Sequence, residues 1–373
     1  MLRDNTQYDV NFWKTFDKTK VTTEHSTFAQ FCLPYMKKGD ILVDICCGNY
    51  RDTKFFTGND LIVDAFDYED FNLEDKVPKF GLSQMYDHAY CRFVLHAIPE
   101  HLEDYILINA HKVLNTGGLL HIEVRSDKGK KPINSHYRRL INAEYLKKKL
   151  SRLNFELMFE SESADLSIYN NENPVLLRLI VRKVGSIKTR GKRQAEGCIN
   201  LEDSLHILFS VKQILEANKI DFFLVFGTLL GAYRDHGFIK HDTDIDIALS
   251  MNELNHVKQL INDGYFAIYG MHCQTEHKYY RLAEVDILAL GYKKDYIDFW
   301  FYTRAETRYT MGPRMSILFE QIDNGLSTIM LYGREFKTVN DIEAYLARCY
   351  PNRRHHLNTD GWKTPIENYH ARR

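Results

Sequence analysis

"LVFGTLLGAYRDHGFIKHDTDIDIAL", residues 224–249, sets three carboxylates, Asp242, Asp244 and Asp246, at alternate positions just after a glycine-flanked loop. Successive side chains of a strand point to opposite faces, so these three share one face, where like charges repel unless something positive sits between them. The opposite face carries Ile245, Ile247 and Leu249, which argues against a solvated edge strand. The pattern predicts a carboxylate cluster that holds a metal ion.

A further acidic residue belongs with it. In "YIDFWFYTR" (296–304), Asp298 lies inside an aromatic run and is hard to explain as surface. Buried carboxylates are rarely left without an Arg, a Lys or a metal as partner. Upstream, residues 201–217 have an amphipathic helical pattern, "DFFLVFGT" (221–228) reads as a strand ending in a loop, and "LLGAYRDHG" as the start of a helix.

The chain has 373 residues, enough for two domains that each bury a core. Lys and Arg number 49 against 50 Asp and Glu, so nothing in the net charge of -1 calls for nucleic acid as a partner. Seven cysteines, at 32, 46, 47, 91, 198, 273 and 349, show no C-x-x-C spacing and read as reduced thiols of a cytoplasmic protein. The N-terminus, "MLRDNTQYDVNFWKTFDK", has no apolar signal core, and no apolar run approaches the roughly 18 residues of a membrane span. The abundance of Phe and Tyr, 22 and 23, fits aromatic cores or aromatic pocket walls.

Residues 1–21 read as an N-terminal extension, 22–184 as one domain, 185–199 as a solvated basic linker and 200–373 as a second domain. The first domain alternates strand-like segments (40–47, 59–67, 85–95, 117–126, 155–163 and 175–183) with helical spacing at 24–37, 51–57, 101–115 and 142–153, and "NTGG" at 115–118 supplies a glycine stop. This alternation predicts a doubly wound, mostly parallel sheet, whose ligands bind beyond the carboxyl ends of the strands. There "DICCGNYRD" (44–52) leaves the first strand, and Asp67 ends the next one, at the spacing of a ribose-binding acid.

On "STFAQFCLPYMKKGDILVDICCGNYRD", "YCRFVLHAIPEH", "GGLLHIEVRSDKGK" and "NPVLLRLIVRK", residues 24–183 resemble class I S-adenosylmethionine-dependent methyltransferases of the kind encoded with bacterial capsule and O-antigen genes. The resemblance implies a Rossmann-like fold. It sets Asp44, Cys46, Gly48 and their loop against the methionine part of S-adenosylmethionine, Asp67 on the ribose, and Asp87 to Phe93, Arg92 included, along the cofactor. Arg92, His96, Glu123 and Arg125 are candidates for the acceptor side, or else structural ion pairs. Cys46 and Tyr50 stand where the family usually has glycine.

"FGTLLGAYRDHGFIKHDTDIDIAL", "DYIDFWFY" and "GREFKTVNDIEAYLARCYP" resemble the LicD and fukutin family, over nearly all of residues 200–351. This implies an α+β nucleotidyltransferase fold in which Asp244, Asp246 and Asp298 hold Mg²⁺, and Gly227 and Thr228 approach phosphate through their amides. Asp242 then activates a hydroxyl and Arg234 contacts phosphate, or each is a surface or ion-paired residue. His241 replaces the family's common Trp, and Thr243 a frequent Asp. Together the two resemblances imply an enzyme that moves a phospho-substituent from a CDP-linked donor to a glycan or glycan precursor and also methylates. The alternatives are a phosphotransferase with a methyltransferase-like docking domain, or nucleotidyl transfer to RNA or protein.

Overall fold

The chain divides into two compact units, Met1–Lys188 and Thr189–Arg373. A computed structural model describes residues 22–67, 71–72, 77–78, 85–130, 137–167, 172–191, 198–239, 242–275, 278–280, 283–285, 287–311 and 316–350. His241 and residues 1–21 lie outside the described residues. No helix among the described residues is long and apolar enough to cross a membrane. All seven cysteines are thiols.

In the first unit a six-stranded sheet is built from β1 (Ile41–Ile45), β2 (Ile62–Phe66), β3 (Tyr86–Arg92), β4 (Leu114–Arg125), β5 (Phe155–Ser163) and β6 (Leu176–Lys183), in the order β2-β1-β3-β4-β6-β5. The pairs β2–β1, β1–β3 and β3–β4 are parallel, and β6 runs antiparallel to both of its neighbours. Leu42, Val43 and Ile45 are all buried, as a central parallel strand covered on both faces requires. This is a doubly wound, Rossmann-like sheet, with strand order reversing between β1 and β3. Any ligand site is thereby directed to the carboxyl ends of β1, β2 and β3.

Helices α1 (Thr27–Cys32), α2 (Arg51–Gly58), α3 (Glu100–Val113) and α4 (Ala143–Arg152) cover the sheet. Ser26 and Asn142 cap α1 and α4 by accepting from the N–H groups of Ala29 and Tyr145. Phe28, Ala29, Cys32, Leu42, Phe56, Leu61 and Tyr90 make one continuous core between α1, α2 and the sheet. Lys149 of α4 is fully buried because Glu100, Glu103 and Asp104 of α3 take its three N–H donors at 2.7, 3.1 and 2.6 Å. The "NTGG" stretch does not stop a helix: α3 ends at Val113 and β4 already begins at Leu114, with Gly117 at φ +92° inside the strand.

The second unit holds α5 (Leu201–Ala217), β7 (Phe222–Leu224), α6 (Phe226–Arg234), β8 (Ile245–Ser250), α7 (Leu254–Asp263), β9 (His272–Thr275), β10 (Ile287–Tyr292), β11 (Asp295–Arg304), β12 (Ser327–Leu331), β13 (Arg334–Thr338) and α8 (Ile342–Cys349). Its main sheet runs β9-β10-β11-β8-β7-β13-β12. Strands β8 and β11 are parallel, with Asp246 opposite Asp298. Asp295 fixes the start of α5 by accepting from Asn200 N–H at 3.0 Å and Ser204 Oγ at 2.7 Å.

Candidate functional site

The second unit gathers three acids, but not by strand alternation alone: β8 begins only at Ile245, so Asp242 and Asp244 precede the strand and of the three alternating acids only Asp246 lies in it. Carboxylate oxygens of Asp244, Asp246 and Asp298 lie within 4.8 Å of one another. Asp298 is completely buried and Asp246 is 8% exposed, whereas Asp244 is half-buried. Burial pushes the Asp246 carboxyl well above its ordinary range, and Asp244, Asp298 and Asp242 push it further. Three hard oxygen donors at this spacing, two of them withdrawn from water, fit a small divalent cation, which would remove the repulsion that raises them.

The backbone around Asp246 is pinned. Its N–H donates to Thr228 Oγ1 at 2.8 Å, and its Oδ1 accepts from Trp300 Nε1 at 2.8 Å. Thr228 therefore spends its hydroxyl on positioning a carboxylate. Gly227 and Thr228 also lie in the first turn of α6, not in a loop after a long strand. The strand is short because pairing of β7 with β8 runs only from Phe222 to Leu224, and Phe226, at φ +46°, turns the chain straight into the helix. A Cβ on Gly227 would come within 2.2 Å of Asp242 Oδ2, so glycine is what admits that carboxylate. Asp242 is half-buried, and burial with Asp244 beside it pushes its carboxyl up to about 7.

Arg234 occupies the last turn of α6, at the far end of the helix from Gly227, and forms a bidentate pair with Asp235 at 2.6 Å on both arms. Of its two readings, phosphate ligand or ion-paired residue, the geometry gives the second. Two residues that sequence reasoning missed belong to the site. Trp300 shares a face of β11 with Asp298 two residues away, a signal that period-2 reading could have used. Tyr350, after α8, is close enough to Asp246, Asp242 and Asp244 that, after burial, their charges hold its phenol protonated. It falls in the stretch "GREFKTVNDIEAYLARCYP" that carries the family resemblance, but nothing in that stretch points it at the acids.

The first unit brings Asp44, Cys46, Gly48, Asp67 and Arg92 together at the carboxyl ends of β1, β2 and β3. Cys46, Gly48 and Tyr50 have φ of +58°, +62° and +62°, so the loop keeps a glycine-like path although two of the three are not glycine. The Tyr50 ring is 43% exposed at the start of α2. Asp67 accepts from Gly48 N–H at 3.3 Å, and Asp44 accepts from Thr53 Oγ1 at 2.6 Å while burial pushes it up to about 7. Burial likewise pushes the Cys46 thiol well up. Left-handed backbone costs an L-residue about 1–2 kcal/mol. Cys46→Gly and Tyr50→Gly are therefore each expected to stabilise the unit by roughly 0.5–1 kcal/mol after glycine's own entropy is counted, read by urea unfolding. A loss of stability in both would contradict the strain account.

Asp87 does not join this group. It lies at the amino end of β3, where it accepts from Ile41 N–H and Asn115 Nδ2, each at 3.0 Å. It therefore ties the amino ends of β1, β3 and β4, opposite to the carboxyl ends where the other residues gather. Arg92 donates through Nε to Glu123 Oε1 at 2.9 Å, and Arg178 donates to Glu123 Oε2 at 2.6 Å. Arg125 pairs with Glu172 at 2.5 Å. His96 accepts on Nδ1 from Arg125 N–H at 3.2 Å, and burial, then Arg138, Arg125, Arg139 and Arg92, hold its imidazole neutral. Its hydrogen is thereby assigned to Nε2, as a donor.

Residues 219–321 match the family model described as LicD/FKTN/FKRP, nucleotidyltransferase domain, and the three carboxylates fall within that span. No curated protein matches the chain. The 1,6-didemethyltoxoflavin-N1-methyltransferase of Burkholderia thailandensis, solved with 1,6-didemethyltoxoflavin and S-adenosylhomocysteine, is similar at 17% identity over 47% of this chain and 85% of that one, TM-score 0.36. A SAM-dependent methyltransferase of Anabaena variabilis gives 14% identity, 49% and 98% coverage and TM-score 0.36. One from Methanosarcina mazei gives 12%, 41% and 97%, and 0.32. The composition expected from the sequence, a Rossmann-like half followed by a LicD domain, is found. The match gives residues 219–321 a domain of a family described as nucleotidyltransferase.

Proposed function

We propose that this chain is a cytoplasmic, two-activity enzyme that modifies a surface glycan or its precursor. The second unit moves a phospho-substituent from a CDP-linked donor to a glycan hydroxyl, and the first methylates the substituent or the glycan with S-adenosylmethionine. The observation that carries the reading is the triad of Asp244, Asp246 and Asp298 inside the LicD span. Neither activity calls for nucleic acid.

Asp244, Asp246 and Asp298 would hold Mg²⁺, which when bound neutralises the donor's diphosphate and stabilises the departing nucleotide. Asp242, held against Gly227, is our candidate for receiving the proton of the attacking hydroxyl. That hydroxyl oxygen forms the new P–O bond as the bond to the CMP leaving group breaks. The first-turn N–H groups of α6 are the donors best placed for a phosphate oxygen. In the first unit, Asp67 would receive the ribose hydroxyls beside Gly48, and Asp44, Cys46 and Arg92 would border the rest of the cofactor. Methyl transfer from a sulfonium depends chiefly on alignment, so His96 and Arg125 are proposed to orient the acceptor by donation and not to remove its proton.

CDP with Mg²⁺ is expected to raise the Tm of the second unit, because a ligand bound only by the folded state stabilises it, by about 2.7 kcal/mol at one hundred times Kd. EDTA should cancel the shift. Equal stabilisation by every nucleotide, or by none at millimolar concentration, would exclude a CDP-linked donor.

A further inference from the structure

Asp246 is held both at its backbone and at its side chain. Its backbone N–H is fixed on Thr228, and one of its carboxylate oxygens accepts from the indole N–H of Trp300 at 2.8 Å. The register explains the contact: Asp246 faces Asp298 across the parallel pair β8–β11, and Trp300 stands two residues further along the same face. Trp300 is itself held. It is 6% exposed, and its ring meets Phe226 edge to face at 5.1 Å and 72°. Phe226 opens α6 at φ +46°, so one aromatic contact links the carboxylate to the start of the helix that carries Gly227 and Thr228.

We propose that Trp300 is a positioning residue that fixes Asp246 as a one-oxygen ligand and thereby selects a small octahedral cation over Ca²⁺. The proposal rests on the metal-site reading above. An indole N–H on Oδ1 occupies a lone pair of that oxygen and sets the plane of the carboxylate, which opposes chelation through both oxygens. Ca²⁺ takes six to eight oxygens at about 2.3–2.6 Å and uses two-oxygen carboxylates freely, whereas Mg²⁺ needs near-octahedral single contacts at about 2.0–2.1 Å. A carboxylate that cannot swing to the two-oxygen mode penalises the larger ion. Outer partners of this kind govern metal affinity by about 10–100-fold.

The test uses the full-length chain with Mn²⁺ alone, free Mn²⁺ being read by electron paramagnetic resonance, and with Ca²⁺ alone by calorimetry. Trp300→Phe keeps a ring and loses the donor, and Trp300→His returns a ring N–H. Wild type should prefer Mn²⁺. Trp300→Phe should lose about ten-fold or more in Mn²⁺ affinity while its Ca²⁺ affinity holds or rises, and Trp300→His should recover part of the preference. Trp300→Phe with unchanged affinities for both ions overturns the proposal. Equal losses for both overturn it too, because a merely structural tryptophan would not discriminate between cations. If wild type binds neither ion, the metal-site reading fails together with the inference. If wild type binds Mn²⁺ and the variant matches it, only the inference fails.

Discussion

Asp298→Asn is expected to lower phosphotransfer by roughly 10³-fold or more while S-adenosylhomocysteine binding by the first unit is unchanged. The carboxylate is completely buried, opposite Asp246 in register and within 4.8 Å of its two partners. Asparagine keeps the volume and one oxygen but removes the charge that a divalent ion needs. The same change separates chemistry from folding. With EDTA present, the variant loses one of three mutually repelling carboxylates, so its Tm should equal or exceed that of wild type. With Mg²⁺ present the order should reverse. Full transfer rate in Asp298→Asn, or in Asp246→Asn, would show that the triad is not the reactive centre.

How much of this was legible beforehand follows from which distances matter. Asp298 could be suspected because an acid inside an aromatic run must be compensated, whereas strand alternation accounts only for Asp246, since Asp242 and Asp244 precede β8. Period 2 places Trp300 on the face of Asp298, but its target, Asp246, depends on the register between β8 and β11, which pairing across the sheet decides. The start of α6 was misplaced for a related reason. The run "FFLVFGT" reads as a strand through Thr228, yet the pairing ends at Leu224 and the Thr228 hydroxyl accepts from the Asp246 amide. In the first unit, Asp87 is the third residue of the strand expected at 85–95, so its place at the amino end, away from the carboxyl ends where ligands bind, was already legible. Glycine substitution at Cys46 and Tyr50 looked like a break in the cofactor loop. The backbone instead keeps positive φ at both positions, and Tyr50 is exposed at the start of α2.

Glu123→Ala is expected to destabilise the first unit by about 3–5 kcal/mol, the usual cost of stripping one partner from a buried ion pair. Glu123 is completely buried and divides its two oxygens between Arg92 and Arg178. Arg178 in turn donates to Thr27 Oγ1 at 2.9 Å and Leu166 O at 3.0 Å, so the carboxylate ties β3, β4 and β6 to the start of α1. Removing it leaves the buried Arg178 and the half-buried Arg92 without the carboxylate they share. Glu123→Gln should cost less, since it keeps an acceptor for one of them. Urea unfolding of the full chain, followed by a probe confined to the first unit, gives the number. Asp67→Ala should behave in the opposite way: little change in unfolding, but a loss of one to two decades in S-adenosylhomocysteine affinity, as about 1.5–3 kcal/mol of charge-assisted hydrogen bonding to ribose goes. A Glu123→Leu, Arg92→Met, Arg178→Met triple change should recover much of the stability, because an apolar set of similar volume replaces the desolvated charges. If the triple variant folds well and still binds S-adenosylhomocysteine but no longer methylates, Glu123 and its arginines act on the acceptor as well as on the fold. If Glu123→Ala unfolds at the wild-type urea midpoint, the ion triad is not what holds these strands.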